Sequence, residues 1–122
     1  MVTIGNCDVL YRRLAPGHIV DGAVASNGYK IGGKPDQSIS VELANMTTAK
    51  ECATRDGRVG YKVGKLIASR VRELDFEIRH APDEAGSTTE AHALIEPIEG
   101  QKNTKTKCRL LAEMTELVPE PY

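Results

Sequence analysis

Residues 75–98, DFEIRHAPDEAGSTTEAHALIEPI, decide the fold. Asp75–His80 alternates apolar and polar side chains as a half-buried strand does, and Ala91–Ile98 answers it as a returning strand. Between them Pro82–Glu90 is a polar loop carrying Gly86, Ser87, Thr88 and Thr89, so the segment reads as an antiparallel hairpin. Pro97 marks a sheet edge or the end of the strand. Pairing symmetric about Gly86 sets His80 opposite His92 and Ile78 opposite Leu94, with both imidazoles on the face of Phe76.

Toward the C-terminus, Gly100 leads into Lys102–Val118, KNTKTKCRLLAEMTELV. Leu110, Leu111, Met114, Leu117 and Val118 recur at helical spacing and predict a C-terminal amphipathic helix. Its charges oppose the helix dipole: Lys102, Lys105, Lys107 and Arg109 fill the first half, Glu113 and Glu116 the second. Each misplaced charge costs roughly 0.3–1 kcal/mol. Cations gathered beside free first-turn N–H groups also make an anion site.

Toward the N-terminus, Lys65–Leu74 reads as a helix on Ile67, Val71 and Leu74, with a strand running on from Tyr61 as the alternative. Thr48 caps a short helix over Ala49–Arg55, with Glu51 completing a capping box and Gly57 just past the end. Ser38–Leu43, SISVEL, alternates as a strand. From His18 to Gln37 the chain is rich in turns, at Asp21-Gly22, Asn27-Gly28 and Gly32-Gly33-Lys34-Pro35, and short extended pieces around Gly28–Ile31 can pair there. Asp8–Leu14, DVLYRRL, is a first strand stopped by Ala15-Pro16-Gly17. The fold class that follows is α+β: a small, mainly antiparallel sheet with two or three helices packed on one face, the C-terminal amphipathic helix among them.

The 122 residues suffice for one domain spanning 1–122, with residues 118–122 as a loose tail. Hydrophobic and charged contents of 40% and 27% are those of an ordinary globular chain. A net charge of −1 gives no global field for a membrane or a polyanion, and no apolar run reaches bilayer length. Met1–Val20 has no apolar signal-peptide core. Cys7, Cys52 and Cys108 are odd in number and unpaired in spacing, which suits free thiols in a reducing, cytoplasmic setting. A pI near 6.3, one Phe and no Trp argue against sequence-specific nucleic-acid readout. Gly32-Gly33-Lys34-Pro35 lacks the spacing of a phosphate-binding loop and reads as a hairpin turn. Nothing in the sequence calls for a cofactor or a resident metal.

Three groups carry possible chemistry. His80, His92 and Glu90, with Asp83 and Glu84 nearby, put imidazole beside carboxylate at one hairpin end, the composition of an acid–base or metal-assisted enzyme site. A one-residue slip in register would send the histidines to opposite faces. Arg12 on an early strand and Ser38-Ile39-Ser40 on a later one resemble, in outline, the first two parts of the arginine–serine–glutamate ADP-ribosyltransferases. That resemblance implies an NAD site; the third part is missing, since Glu96-Pro97-Ile98-Glu99 has the wrong spacing. The basic start of the last helix, Lys102, Lys105, Lys107 and Arg109, is the third, an anchor for an acidic protein partner or an anion.

Charge is also sorted into blocks: five bases and no acid over Arg58–Arg72, then five acids and no Lys or Arg over Pro82–Glu99. Such blocks can neutralise one another within the fold, and Glu96 and Glu99 lie just before the helix lysines. The expected function is an accessory or interaction protein docking through that helix start. The alternative is a small enzyme at His80 and His92, or an ADP-ribosyltransferase-like NAD site. A homo-oligomer is open.

Overall fold

The computed structural model describes residues 2–29 and 38–122. The Gly32–Pro35 turn, and most of the expected pairing around Gly28–Ile31, lie outside them. The chain runs β1 (Val9–Leu14), β2 (Ile19–Val20), β3 (Ala23–Val24), β4 (Ile39–Leu43), α1 (Ala49–Thr54), β5 (Lys62–Ile67), α2 (Ala68–Arg72), β6 (Phe76–His80), β7 (His92–Pro97), α3 (Lys105–Met114) and β8 (Glu116–Leu117). Six strands form one antiparallel sheet in the order β6-β7-β4-β1-β5-β8, while β2 and β3 make a separate small hairpin. The fold is the α+β class that alternating strands and a final helix imply.

Alternation divides the sheet into two faces. On the inner face Leu10, Ile39, Val41, Leu43, Leu66, Phe76, Ala93 and Ile95 form the main core with Ala68 and Val71 of α2 and Cys108, Leu111 and Ala112 of α3. On the outer face α1 packs Cys52 and Ala53 onto Tyr11 and Val63, a smaller cluster that takes in Val118 and Tyr122. Among the described residues the helices therefore divide between the faces, with α1 on the outer side. Its start follows the capping-box reading: the Thr48 hydroxyl accepts from the Glu51 N–H at 3.1 Å.

Four local expectations are corrected. Lys65–Ile67 belongs to β5, which pairs with β1 along its whole length from Val9↔Ile67 to Leu14↔Lys62. The helix starts only at Ala68, where the Ala68 and Ser69 N–H groups donate to Asp8 O and Asn6 O at 2.9 and 3.0 Å. The last helix is shorter than its apolar stripe. Thr104 caps it by accepting from Lys107 N–H at 3.1 Å, and Thr115 leaves it in extended conformation. Leu117 then lies in β8, opposite Gly64. Residues 118–122 are anchored rather than loose. Val118 N–H donates to Val63 O at 2.9 Å, Tyr122 Oη accepts from Val63 N–H at 2.9 Å, and Glu120 pairs with Lys62.

The hairpin register is the fourth correction. Ile78 faces Ile95 and His80 faces Ala93, one residue away from pairing about Gly86. The loop is folded on itself: Glu84 and Ser87 N–H groups donate to Ala81 O and Glu84 O, and the Ser87 hydroxyl donates to Thr89 O. Ala85 and Gly86 take φ of 56° and 73°. These internal turns, not the loop's midpoint, set the pairing.

Candidate functional site

The shifted register separates the two histidines. His80 lies on the inner-face side with Ala93, and His92 on the outer face opposite Glu42. His80 is buried with both ring nitrogens occupied: Nδ1 accepts from Val2 N–H at 3.2 Å, so Nε2 carries the proton and donates to Glu90 O at 2.7 Å. Glu90 thus meets His80 through its backbone, and its residue is exposed. The two imidazoles share no site. Among the described residues, no three His, Cys, Asp or Glu side chains gather to hold a metal.

The ADP-ribosyltransferase outline is divided in the same way. Arg12 lies on the inner-face side, where Nε and Nη2 donate to Gly28 O at 3.0 and 2.8 Å and Nη1 donates to Ser40 O at 2.8 Å. Its guanidinium carbon sits 5.7 Å from the Tyr29 ring centre. Ser38 and Ser40 occupy the outer-face positions, and the Ser38 hydroxyl donates to Glu96 at 3.2 Å. Arg12 therefore ties the 26–29 turn to β4, with backbone carbonyls as its partners.

The basic start of α3 is split between inside and outside. Lys102 and Lys105 are exposed and form no ion pair among the described residues. Lys107 turns inward, its Nζ 5.2 Å from the Phe76 ring centre, buried and without a hydrogen-bond partner among the described residues. Arg109 pairs one turn on with Glu113 at 3.3 Å. The acidic block does not neutralise these lysines by ion pairs: Glu84 and Glu96 both go to Arg79. The basic block over 58–72 is met by C-terminal acids, Lys62 by Glu120 and Lys65 by Glu116.

A different set of polar groups converges on the outer face. Tyr11, Glu42 and His92 are successive register partners across β1, β4 and β7. Arg13 and Ser40 stand two residues along on the same face, and Cys52 arrives from α1. These six side chains border a cleft of about 80 Å³, backed by Arg12 and Val41. Its Glu42 carboxylate is buried and held by a two-pronged contact, Arg55 Nε and Nη2 donating at 2.8 and 2.7 Å. Burial first, and then the Glu42 charge, push the Cys52 thiol up to about 12, although Arg13 and Arg55 act the other way. Cys52 is therefore a thiol at neutral pH, a packing group rather than a nucleophile. His92 Nδ1 donates to Ala81 O at 2.6 Å, which leaves Nε2 as the acceptor of the neutral ring.

Of this cleft, His92 was a sequence candidate in its own right, and Arg12 and Ser40 entered only through the resemblance. Glu42, Arg13, Tyr11 and Cys52 were missed as a group. The signal was present in the alternation of Ser38-Ile39-Ser40-Val41-Glu42 and of Tyr11-Arg12-Arg13, which places Ser40 with Glu42 and Tyr11 with Arg13. No family model, curated protein or solved structure matches this chain.

Proposed function

We propose that this is a small accessory or interaction protein that docks an acidic protein partner, or an anion, at the start of α3, in the reducing environment of the cytoplasm. The observation that carries the reading is the state of Lys102 and Lys105. Most other cations are paired, stacked on a ring or bound to carbonyls, whereas these two are exposed and have no acid among the described residues. They flank the Thr104 cap, where first-turn N–H groups add partial positive charge. Lys107 and Arg109 play supporting parts, one fixing the helix over Phe76 and the other pairing within it. Three free cysteines, two of them buried, support the reducing setting.

The test is binding of the full chain to fluorescent poly-glutamate, followed by anisotropy at low and physiological salt. Charge reversal of both Lys102→Glu and Lys105→Glu weakens binding about tenfold, from roughly 0.2–1 kcal/mol per exposed charge contact, and added salt weakens the native chain's binding. Binding that ignores both changes overturns the proposal.

A further inference from the structure

We propose that the outer-face cleft between β1, β4, β7 and α1 is a binding site for a small oxyanion, a phosphate or carboxylate group. The case rests on charge, on open hydrogen-bonding capacity and on size. Two outer-face guanidiniums, Arg13 bordering the cleft and Arg55 beside it, accompany one carboxylate, Glu42. Arg55 takes that carboxylate, so the Arg13 charge has no acid paired with it among the described residues. Arg12 backs the cleft, its guanidinium held by neutral carbonyls on the inner-face side. Arg13 has a ring contact, 5.9 Å from the Tyr61 centre, and no hydrogen bond or ion pair among the described residues. A half-buried positive charge of this kind favours an anion, because partial desolvation strengthens the attraction.

The donors are also of the right kind. Tyr11 and Ser40 line the same cleft as Arg13, and neither hydroxyl makes a hydrogen bond among the described residues. His92 Nε2 is there as a further group, able to donate when protonated. A bare cation is disfavoured by the guanidiniums, and a cleft of about 80 Å³ suits an anionic group of a few atoms rather than a whole cofactor. The pair Glu42–Arg55 forms a rigid, neutral wall that keeps the carboxylate from competing for Arg13.

The site lies on the face opposite α3 and stands independently of the docking proposal. The test is an NMR titration of the full chain with sodium phosphate and, separately, sodium acetate, with sodium chloride at matched ionic strength as the control. Saturable shifts at Tyr11, Arg13, Ser40 and His92 are expected with a Kd on the order of millimolar or tighter. The arm that saturates at lower concentration identifies the anion class. Arg13→Gln weakens that binding about tenfold or more, the loss of one charged hydrogen bond, whereas Lys102→Glu with Lys105→Glu leaves it unchanged. If Arg13→Gln does not keep the native spectrum, Ser40→Ala gives the same comparison at the hydroxyl. Shifts that grow linearly and match the chloride arm overturn the proposal, as does unchanged affinity in a folded Arg13→Gln or Ser40→Ala chain.

Discussion

Replacing Gly64 by alanine tests the packing that joins β5, α3 and β8. Gly64 has no need of glycine's backbone freedom, since its φ lies outside the left-handed region. What it lacks is room. A Cβ there would sit 2.3 Å from Thr115 Cγ2 and 3.1 Å from Leu14 Cδ1, against an ordinary carbon contact of about 3.5–4 Å. Thr115 cannot rotate away freely, because its hydroxyl donates to Leu111 O at 2.7 Å and bonds Tyr29 Oη at 2.6 Å. Moving it gives up two hydrogen bonds of about 1 kcal/mol each and strands the hydroxyl of fully buried Tyr29. Shifting the strands instead costs about 1–3 kcal/mol. The two routes bracket a loss of roughly 1–4 kcal/mol, a large share of a total of about 5–15 kcal/mol. In thermal unfolding the midpoint drops by about 10 °C. Thr115→Ser removes the offending methyl and keeps the hydroxyl, so the double variant recovers most of the loss in denaturant titrations. A Gly64→Ala chain within about 0.5 kcal/mol of native, a spread typical of neutral surface changes, or a double variant with no recovery, would refute the steric argument.

The other two predictions concern the C-terminus and alkaline pH. Tyr122→Phe takes the acceptor from the N–H of fully buried Val63 and should cost about 1–3 kcal/mol by denaturant titration; no change would return residues 118–122 to the status of a loose tail. Burial raises Cys52 from an ordinary 9 and Tyr29 from an ordinary 10, each to about 12. The unfolded chain releases these protons first, so their stabilisation is full below about pH 9 and is lost progressively up to pH 12. Unfolding free energies measured from pH 8 to 11 should fall, more steeply past pH 10, and Tyr29→Phe should remove the later part of the decline. A flat profile would contradict the burial of both groups.

Local chemistry was legible wherever one residue type decides one conformation. Thr48 with Glu51 marked the start of α1, the alternation of 38–43 and of 75–80 marked β4 and β6, and the apolar stripe marked α3. What escaped was decided by partners distant in sequence. Ile67 fits a helix and a strand equally, and pairing with Val9 decides for the strand. Leu117 and Val118 continue a helical stripe by spacing, yet the Thr115 hydroxyl, held by Tyr29 from far away in the chain, lies at the point where the helix stops. The hairpin's register depended on hydrogen bonds inside its own loop, and one residue of shift was enough to separate His80 from His92. The cleft required the order of strands. Alternation places Glu42, Tyr11 and His92 on faces of their own strands, but only the neighbouring of β1, β4 and β7 brings those faces together.

The reversed charge order of the last helix shows how such long-range placement changes the meaning of a local feature. By itself, a first turn carrying Lys105 and Lys107 opposes the dipole. In the fold, Lys107 leans over the ring of Phe76 and Arg109 is drawn forward to Glu113. Glu116, which would have burdened the helix's negative end, lies beyond it in β8 and faces Lys65. The misplaced charges are thus reduced chiefly to Lys105 on the helix and Lys102 just before it. A cost that persists at two exposed positions, after the others have found internal partners, is what an external anion would offset. The same reasoning, applied to half-buried positive charge without an acid at Arg13, leads to the outer-face cleft. The two surfaces differ in one measurable respect: exposed lysines respond to salt through screening over about 8–10 Å, whereas an anion desolvated against Arg13 responds far less. Phosphate binding that collapses with modest added chloride would therefore belong to the lysines and not to the cleft.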